Sequence, residues 1–471
     1  MSPCPIGLSV PKIYSSRMKK SDSSGTYTIG TNVTVVVRVR PLSYRELDQA
    51  DIHNCLHVTE NVVSINECLE FIFDHCVKPN QDNEYLYEQI GDPLLDHTLD
   101  GYNVCMFAYG QTGSGKTHSI MGREDDPGLM HRFVVNLFDR VAYLTKQEST
   151  RVKIECSYYE IYNEKIHDLL GNDSRTPLRV REHPINGPYI VDLSTIECSS
   201  YQDVLYWINI AQKRRLTACT NMNQKSSRSH TIFTLNITQD KDLDDEFKQS
   251  ITSKVNIVDL AGSERTHVVN ATGDRLKESV LINKSLLTLG KVITQLAEYD
   301  FVKGSSNSYI PYRESVLTWL LKESLGGNSK TTMIATVSPA SIHQEETLTT
   351  LRYAATARRV VNIVKVNEDP KIRRIRELEH EVEVLKQRIA LMESTPTSRG
   401  RGSSVSKQSG TIPKSSPCES NRKSNISNSS PIRVYKTIDL LKHIKELFGD
   451  ILSDDSIKLD LPVRNRPTGK K

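Results

Sequence analysis

Residues 110–117 read Gly110-Gln111-Thr112-Gly113-Ser114-Gly115-Lys116-Thr117, a spacing of glycine, four residues, glycine, lysine and a hydroxyl residue that suits phosphate. Each part has a physical job. Gly113 and Gly115 let the backbone curl so that successive N–H groups face an anion. A helix beginning near Lys116 adds the positive end of its dipole. Lys116 reaches the outer phosphates, and the Thr117 hydroxyl is placed to hold Mg2+. Farther along, Asp259 closes the apolar run Val255–Val258. An aspartate at the end of a buried strand can hold such a cation directly or through water. Gly262 can offer an unshielded N–H to a terminal phosphate and swing when that phosphate leaves. Taken alone, Asp259 reads as a strand-end cap and the loop as a glycine-rich turn.

Such a loop must follow a buried strand, and the apolar run Tyr102–Tyr109 supplies one. Strand-like runs recur at Val33–Val39, Cys105–Tyr109, Val152–Tyr159, Thr231–Thr238, Lys254–Leu260 and Thr331–Val337. Helix-like segments lie between several of them: Thr117–Met121 with its continuation, Tyr201–Thr217, Lys284–Glu298 and Ser315–Ser324. The alternation predicts an α/β fold with helices on both faces of a central, mostly parallel sheet.

Composition narrows the setting. The 471 residues are 37% hydrophobic and 25% charged, enough for one large domain with extensions. No apolar run approaches a membrane span, and the first residues carry no secretory signal. Nine scattered cysteines without a Cys-x-x-Cys pair predict reduced thiols in the cytoplasm, and no zinc site. Charge is uneven. From Glu393 to Lys471 there are 15 basic against 8 acidic residues, whereas residues 1–370 hold 40 against 45. The basic tail suits an acidic polymer or surface, or is simply solvated.

A phosphate loop leaves kinases, GTPases, helicases and motors open. Two further segments choose among them. These are Asn223-Gln-Lys-Ser-Ser-Arg-Ser-His230 and Asp259-Leu-Ala-Gly-Ser-Glu264. With the loop, in this order, they resemble switch I and switch II of the kinesin motor domain. Arg38-Val-Arg-Pro41, Phe107-Ala-Tyr-Gly110, Asn283-Lys-Ser-Leu286, Pro311-Tyr-Arg-Glu-Ser315 and Leu351-Arg-Tyr-Ala354 are similar to that family too. The likeness runs from about residue 32 to 369. It implies the P-loop NTPase fold, with ATP as substrate and Mg2+ as its metal. It also implies roles. Arg38 and Pro41 contact adenine, with Tyr87 or His118 near the base, and Gly110 through Lys116 wrap the phosphates. Thr117 and Ser227 ligate Mg2+ with Asp259 behind them. Arg228 and Glu264 pair across the switches, and Glu264 prepares the attacking water.

The resemblance further implies microtubules as track. The track face would carry Lys277, Lys284, Lys291, Tyr309 and Arg313. The expected organisation is an N-terminal extension (1–31), a motor domain (32–357), a neck linker (358–370) and a neck helix (371–392). A disordered Ser/Pro-rich linker (393–434) and a basic tail with a short amphipathic helix (435–471) come next. Ile375, Leu378, Val382, Leu385, Ile389 and Met392 are spaced as a coiled-coil seam. Under three heptads long, the segment suits a homodimer or one amphipathic helix against the domain. A linker C-terminal to the motor implies plus-end direction. Val180-Arg-Glu-His-Pro184 and Val366-Asn-Glu-Asp-Pro370 resemble the third, transporter class of kinesins. Three features depart from it: the loop Tyr299–Tyr309 holds only Lys303, Val58–His75 is short, and no forkhead-associated or lipid-binding domain follows the neck. Cargo is therefore undefined, and nucleic acid is not an expected partner. The alternative reading is a non-motile regulator of filament ends, a depolymerase or cap.

Overall fold

The computed structural model describes residues 18–20, 27–66, 68–147, 150–172, 176–184, 187–217, 227–244, 247–264, 274–298 and 309–368, with helical positions between 374 and 386. All lie in one compact unit, Met1–Thr395. The Ser/Pro-rich linker and basic tail expected from the sequence lie outside the described residues.

The chain enters through β1 (Met18–Lys20) and β2 (Tyr27–Asn32), an antiparallel pair. β3 (Thr34–Val39) and helix α1 (Tyr44–Leu47) follow. β4 (Leu56–Val58), β5 (Val62–Ile65) and β6 (Leu69–Ile72) form a separate antiparallel sheet within the segment read as short, before β7 (His75–Val77). α2 (Asn83–Leu86) and α3 (Asp92–Leu99) flank a π-helical turn, Tyr87–Gly91. Next come β8 (Val104–Tyr109), α4 (Lys116–Ile120) and α5 (Leu129–Gln147). β9 (Arg151–Tyr162) turns into β10 (Lys165–Asp168) through Asn163 and Glu164, both at positive φ. β11 (Val180–His183) and β12 (Gly187–Ile190) form a hairpin, followed by β13 (Ile196–Glu197) and α6 (Tyr201–Thr217). The last part holds β14 (His230–Asp244), β15 (Phe247–Asp259), α7 (Asp274–Glu298), α8 (Val316–Leu320), β16 (Lys330–Val337), α9 (Gln344–Ala357) and β17 (Val361–Val364).

The nine-stranded central sheet runs β10-β9-β14-β15-β8-β16-β3-β7, with β13 added on β9. From β15 to β7 the pairs are parallel, and from β10 to β15 antiparallel. The sheet is thus mixed rather than mostly parallel. β9–β10 and β14–β15 are consecutive strands that fold straight back, which parallel pairing cannot do. Alternation along each strand sends side chains to opposite faces. Val35, Val37, Val39, Cys105 and Phe107 meet Leu289, Val292, Ile293 and Leu351 of α7 and α9 on one face. Val36, Val104, Met106 and Ala108 meet Leu95, Ile120, Phe133 and Val204 of α3, α4, α5 and α6 on the other.

Several elements differ in length from their sequence reading. β14 and β15 run well past Thr238 and before Lys254, because paired backbones extend through polar residues once the hairpin is formed. α7 starts ten residues before Lys284, at Asp274. The helix read over Ser315–Ser324 is shorter: Ser315 caps it through its hydroxyl, and it ends at Leu320. β17 pairs antiparallel with β2, setting Val361 against Asn32 and Val364 against Ile29.

Candidate functional site

The phosphate loop joins the buried strand β8 to α4, as a strand–loop–helix reading requires. Gly110, Gly113 and Gly115 all have positive φ. A Cβ at Gly110 would strike the Thr336 carbonyl, whereas Gly113 and Gly115 face open space, as a loop that receives a ligand needs. Lys116 is buried and folded back, donating to the carbonyls of Gly110 and Gln111 at 2.9 Å each. Burial lowers its pKa from the ordinary lysine value, opposed by Asp259 and Glu264. A buried ammonium held by carbonyls is poised for a stronger anionic partner.

Asp259 ends β15 directly beside this loop. One carboxylate oxygen accepts from Thr117 Oγ1 at 2.7 Å, and the other is buried with no partner. Burial raises its pKa above the usual carboxylate range. An orphaned buried carboxylate oxygen next to a threonine hydroxyl fits a cation or its water. Gly262 N donates to the Ser227 carbonyl at 2.9 Å, and Ser263 N to the Gly110 carbonyl at 3.0 Å. The backbone after β15 therefore ties the segment before β14 to the phosphate loop. A Cβ on Gly262 would strike both Thr112 and Glu264.

Glu264, expected to face Arg228, places its carboxylate on Thr112 instead, accepting from the backbone N at 2.8 Å and from Oγ1 at 2.5 Å. Ser227 and Arg228 are half-buried. His230 completes the junction. Its Nδ1 accepts from Ala261 N at 3.0 Å, so a neutral ring donates through Nε2 to Ser285 Oγ at 2.7 Å. Burial holds its pKa at about 3.

Beside the loop lies a cavity of about 800 Å³ lined by Arg38, Pro41, Gly113, Ser114, Gly115 and His118, among others. Arg38 is buried and donates to Asn83 and, at 2.9 Å, to Ser119. His118 faces Asp126 at 3.6 Å, yet burial and the Arg38 charge keep its pKa below the ordinary value. Tyr87 departs from its expected place: its ring packs in the core with Leu86 and Leu95 rather than lining the cavity. Gln111 is buried too. Sequence reasoning missed Arg40 and Tyr44, on the segment from β3 into α1, and Asp82 and Asp126, which reach this cavity from two other parts of the chain. The charged repeat Arg38-x-Arg40 was their one local signal.

A second group lies around α7 and α8. Lys284 is exposed, and Tyr309 is 72% exposed. Lys291 pairs with Glu314 at 2.9 Å. Arg313 pairs with Glu182 of β11 and covers Trp319 at 5.5 Å. Glu182 also holds Lys322 at 2.9 Å. Lys277 lies on α7, and its side chain is outside the described residues.

Residues 38–360 match the kinesin motor domain. Among curated proteins, mouse kinesin-like protein KIF14 is 50% identical over 377 residues, 76% of this chain and 22% of that protein. Mouse KIF13A is 46% identical over 385 residues, 77% of this chain and 22% of that protein. The Caenorhabditis elegans kinesin-like protein unc-104 is 46% identical over 375 residues, 75% of this chain and 23% of that protein. The chain thus spans under a quarter of the length of these relatives. Among solved structures, a KIF14 dimer in a two-heads-bound state, with AMP-PNP and in complex with a microtubule, superposes with a TM-score of 0.67 at 48% identity. The match covers 74% of this chain and all of that one. A fast kinesin superposes with a TM-score of 0.65 at 35% identity, covering 72% of this chain and 94% of that one.

Proposed function

This chain belongs to the kinesin motor family, and on that premise we propose that it is a microtubule-stimulated ATPase that moves toward the plus end. One observation carries the reading: the Gly262 N–H reaches the Ser227 carbonyl while Glu264 reaches Thr112 of the phosphate loop. Both loops expected to sense a terminal phosphate therefore already meet at the site where it would sit.

In this reading Lys116 exchanges the Gly110 and Gln111 carbonyls for phosphate oxygens. Arg38, Pro41 and His118 border the adenine. Thr117 and Ser227 would hold Mg2+, with Asp259 fixing the Thr117 hydroxyl. The ion, when bound, would supply charge neutralisation at the outer phosphates. Glu264 leaves Thr112, pairs with Arg228 and orients the attacking water through a second water. Little covalent chemistry falls to the protein; positioning and charge do the rest.

Lys277, Lys284, Lys291, Tyr309 and Arg313 form the microtubule face. Pairing of β17 with β2 is the docked form of the linker, its release the return stroke. Leu378, Val382 and Leu385 are each at least 42% exposed, which supports a second chain along 371–392. Its setting is the microtubule cytoskeleton of the cytoplasm. The test is steady-state ATP turnover with and without microtubules. Turnover should rise at least tenfold on the filament and vanish in Lys116→Ala. Turnover indifferent to microtubules would refute the motor reading.

A further inference from the structure

Cys156 and Cys198 are 42 residues apart in sequence, and their sulfurs are 3.6 Å apart. The pairing of β13 with β9 sets Ile196 against Cys156, so the two cysteines sit on a diagonal of adjacent strands. Cys198 N donates to the Ile154 carbonyl at 2.9 Å, which fixes the register next to the sulfurs. Both side chains are buried in the core face formed with α5 and α6; Cys156 is 0% exposed and Cys198 4%. Among the described residues no group of three metal-ligating side chains occurs, so the pair is not part of a metal site. Nor does ATP hydrolysis use it.

A disulfide places its sulfurs about 2.05 Å apart. The sulfurs here need to approach by roughly 1.5 Å, a small side-chain rotation between strands already hydrogen-bonded. The thiols are not equivalent. Cys198 S–H donates to the Ile196 carbonyl at 3.7 Å, and its contact with Cys156 draws the Cys198 thiol below its ordinary range and pushes Cys156 up. Cys198 is the less buried of the two sulfurs, and Cys156 lies behind it.

We infer that Cys156 and Cys198 are an oxidant-responsive dithiol that closes to an intramolecular disulfide when a hydroperoxide reaches Cys198. The Cys198 sulfur attacks one peroxide oxygen and the O–O bond breaks, giving a sulfenic acid with loss of an alcohol, or of water when the oxidant is hydrogen peroxide. The Cys156 thiol then attacks that sulfur, forming the S–S bond and expelling the sulfenic hydroxyl as water. Two electrons pass from the two sulfurs to the peroxide. The bridge would clamp the entry to α6 onto β9. At its other end α6 carries Arg215, whose guanidinium lies 3.3 Å from Ser229 Oγ. Oxidation would therefore stiffen the arm from which the Ser227 loop departs.

The test uses the full chain, reduced and then exposed to hydrogen peroxide. Remaining thiols are alkylated, and the protein is mapped as peptides without reduction. A linked Cys156–Cys198 peptide pair should appear, disappear on dithiothreitol treatment, and accompany a rise of a few degrees in melting temperature. Cys156→Ala and Cys198→Ala should each abolish it. Recovery of both cysteines alkylated in the wild-type protein would overturn the inference. So would sulfinic acid on either without a link, or links to other cysteines instead. The wild-type map decides the matter even if a variant fails to fold.

Discussion

Glu264 and His230 show how much of the site rests on single atoms. Glu264 bonds Thr112 in this structure, and in the proposed cycle it leaves to orient water. Glu264→Ala should cut ATP turnover at least a hundredfold while leaving nucleotide affinity within a few-fold, separable by steady-state and equilibrium-binding assays. Unchanged turnover would remove its assigned role. His230 ties Ala261 to Ser285 as a neutral ring, and this has a consequence for acid stability. Its pKa falls from 6.5 in the unfolded chain to about 3 in the fold. Between those values the unfolded chain binds a proton here that the folded one refuses. Stability is therefore lost as pH falls from 6.5 toward 3, by at most about 1.4 kcal/mol per unit from this group. Above 6.5 the effect is absent. Denaturant melts from pH 4 to 7 should show a shallower slope in His230→Gln than in the wild type.

At the scale of elements, β17 is the piece most exposed to a single change. Asn362 is buried, and its amide nitrogen donates to Ser324 O, Ser329 O and Thr331 Oγ1 at 2.7–3.1 Å. Its oxygen accepts from Gly326 N at 2.7 Å. Asn362→Ala would strand these groups, weakening docking by about 1–3 kcal/mol. Amide exchange at Val361–Val364 should quicken while β8 stays protected. Elements also show what a sequence can carry. The loop of Gly110–Thr117 and the strand ending at Asp259 were legible, because spacing and burial coincide there. Tyr87 was not, because an aromatic ring near a phosphate motif looks alike whether it lines the cavity or fills the core. The far ends of β14 and β15 escaped because the run from Gln239 to Lys248 is mostly polar and carries no alternating apolar pattern. The cavity residues Asp82 and Asp126 escaped because only tertiary structure brings them to the segment that carries Arg38 and Arg40.

Over the whole molecule, the described residues between 30 and 368 hold the central sheet and both core faces. ATP hydrolysis should therefore not need residues 371–471. Removing them should leave basal turnover within about twofold, because none of the described ones lines the cavity or joins the sheet. On polarity-marked microtubules the truncated form should show single-chain brightness and short encounters, against paired chains and longer runs for the intact protein. Loss of basal turnover would mean the tail belongs to the fold. The pairing of β17 with β2 carries a further consequence for biosynthesis. Asn32 meets Arg358, 326 residues later. At about 5–20 residues per second, the ribosome reaches that partner roughly 20 to 60 s after the first strand emerges. In the cycle proposed above, a nascent chain therefore cannot dock β17 until its synthesis has passed Val364, so a product stalled before that point lacks the docked form.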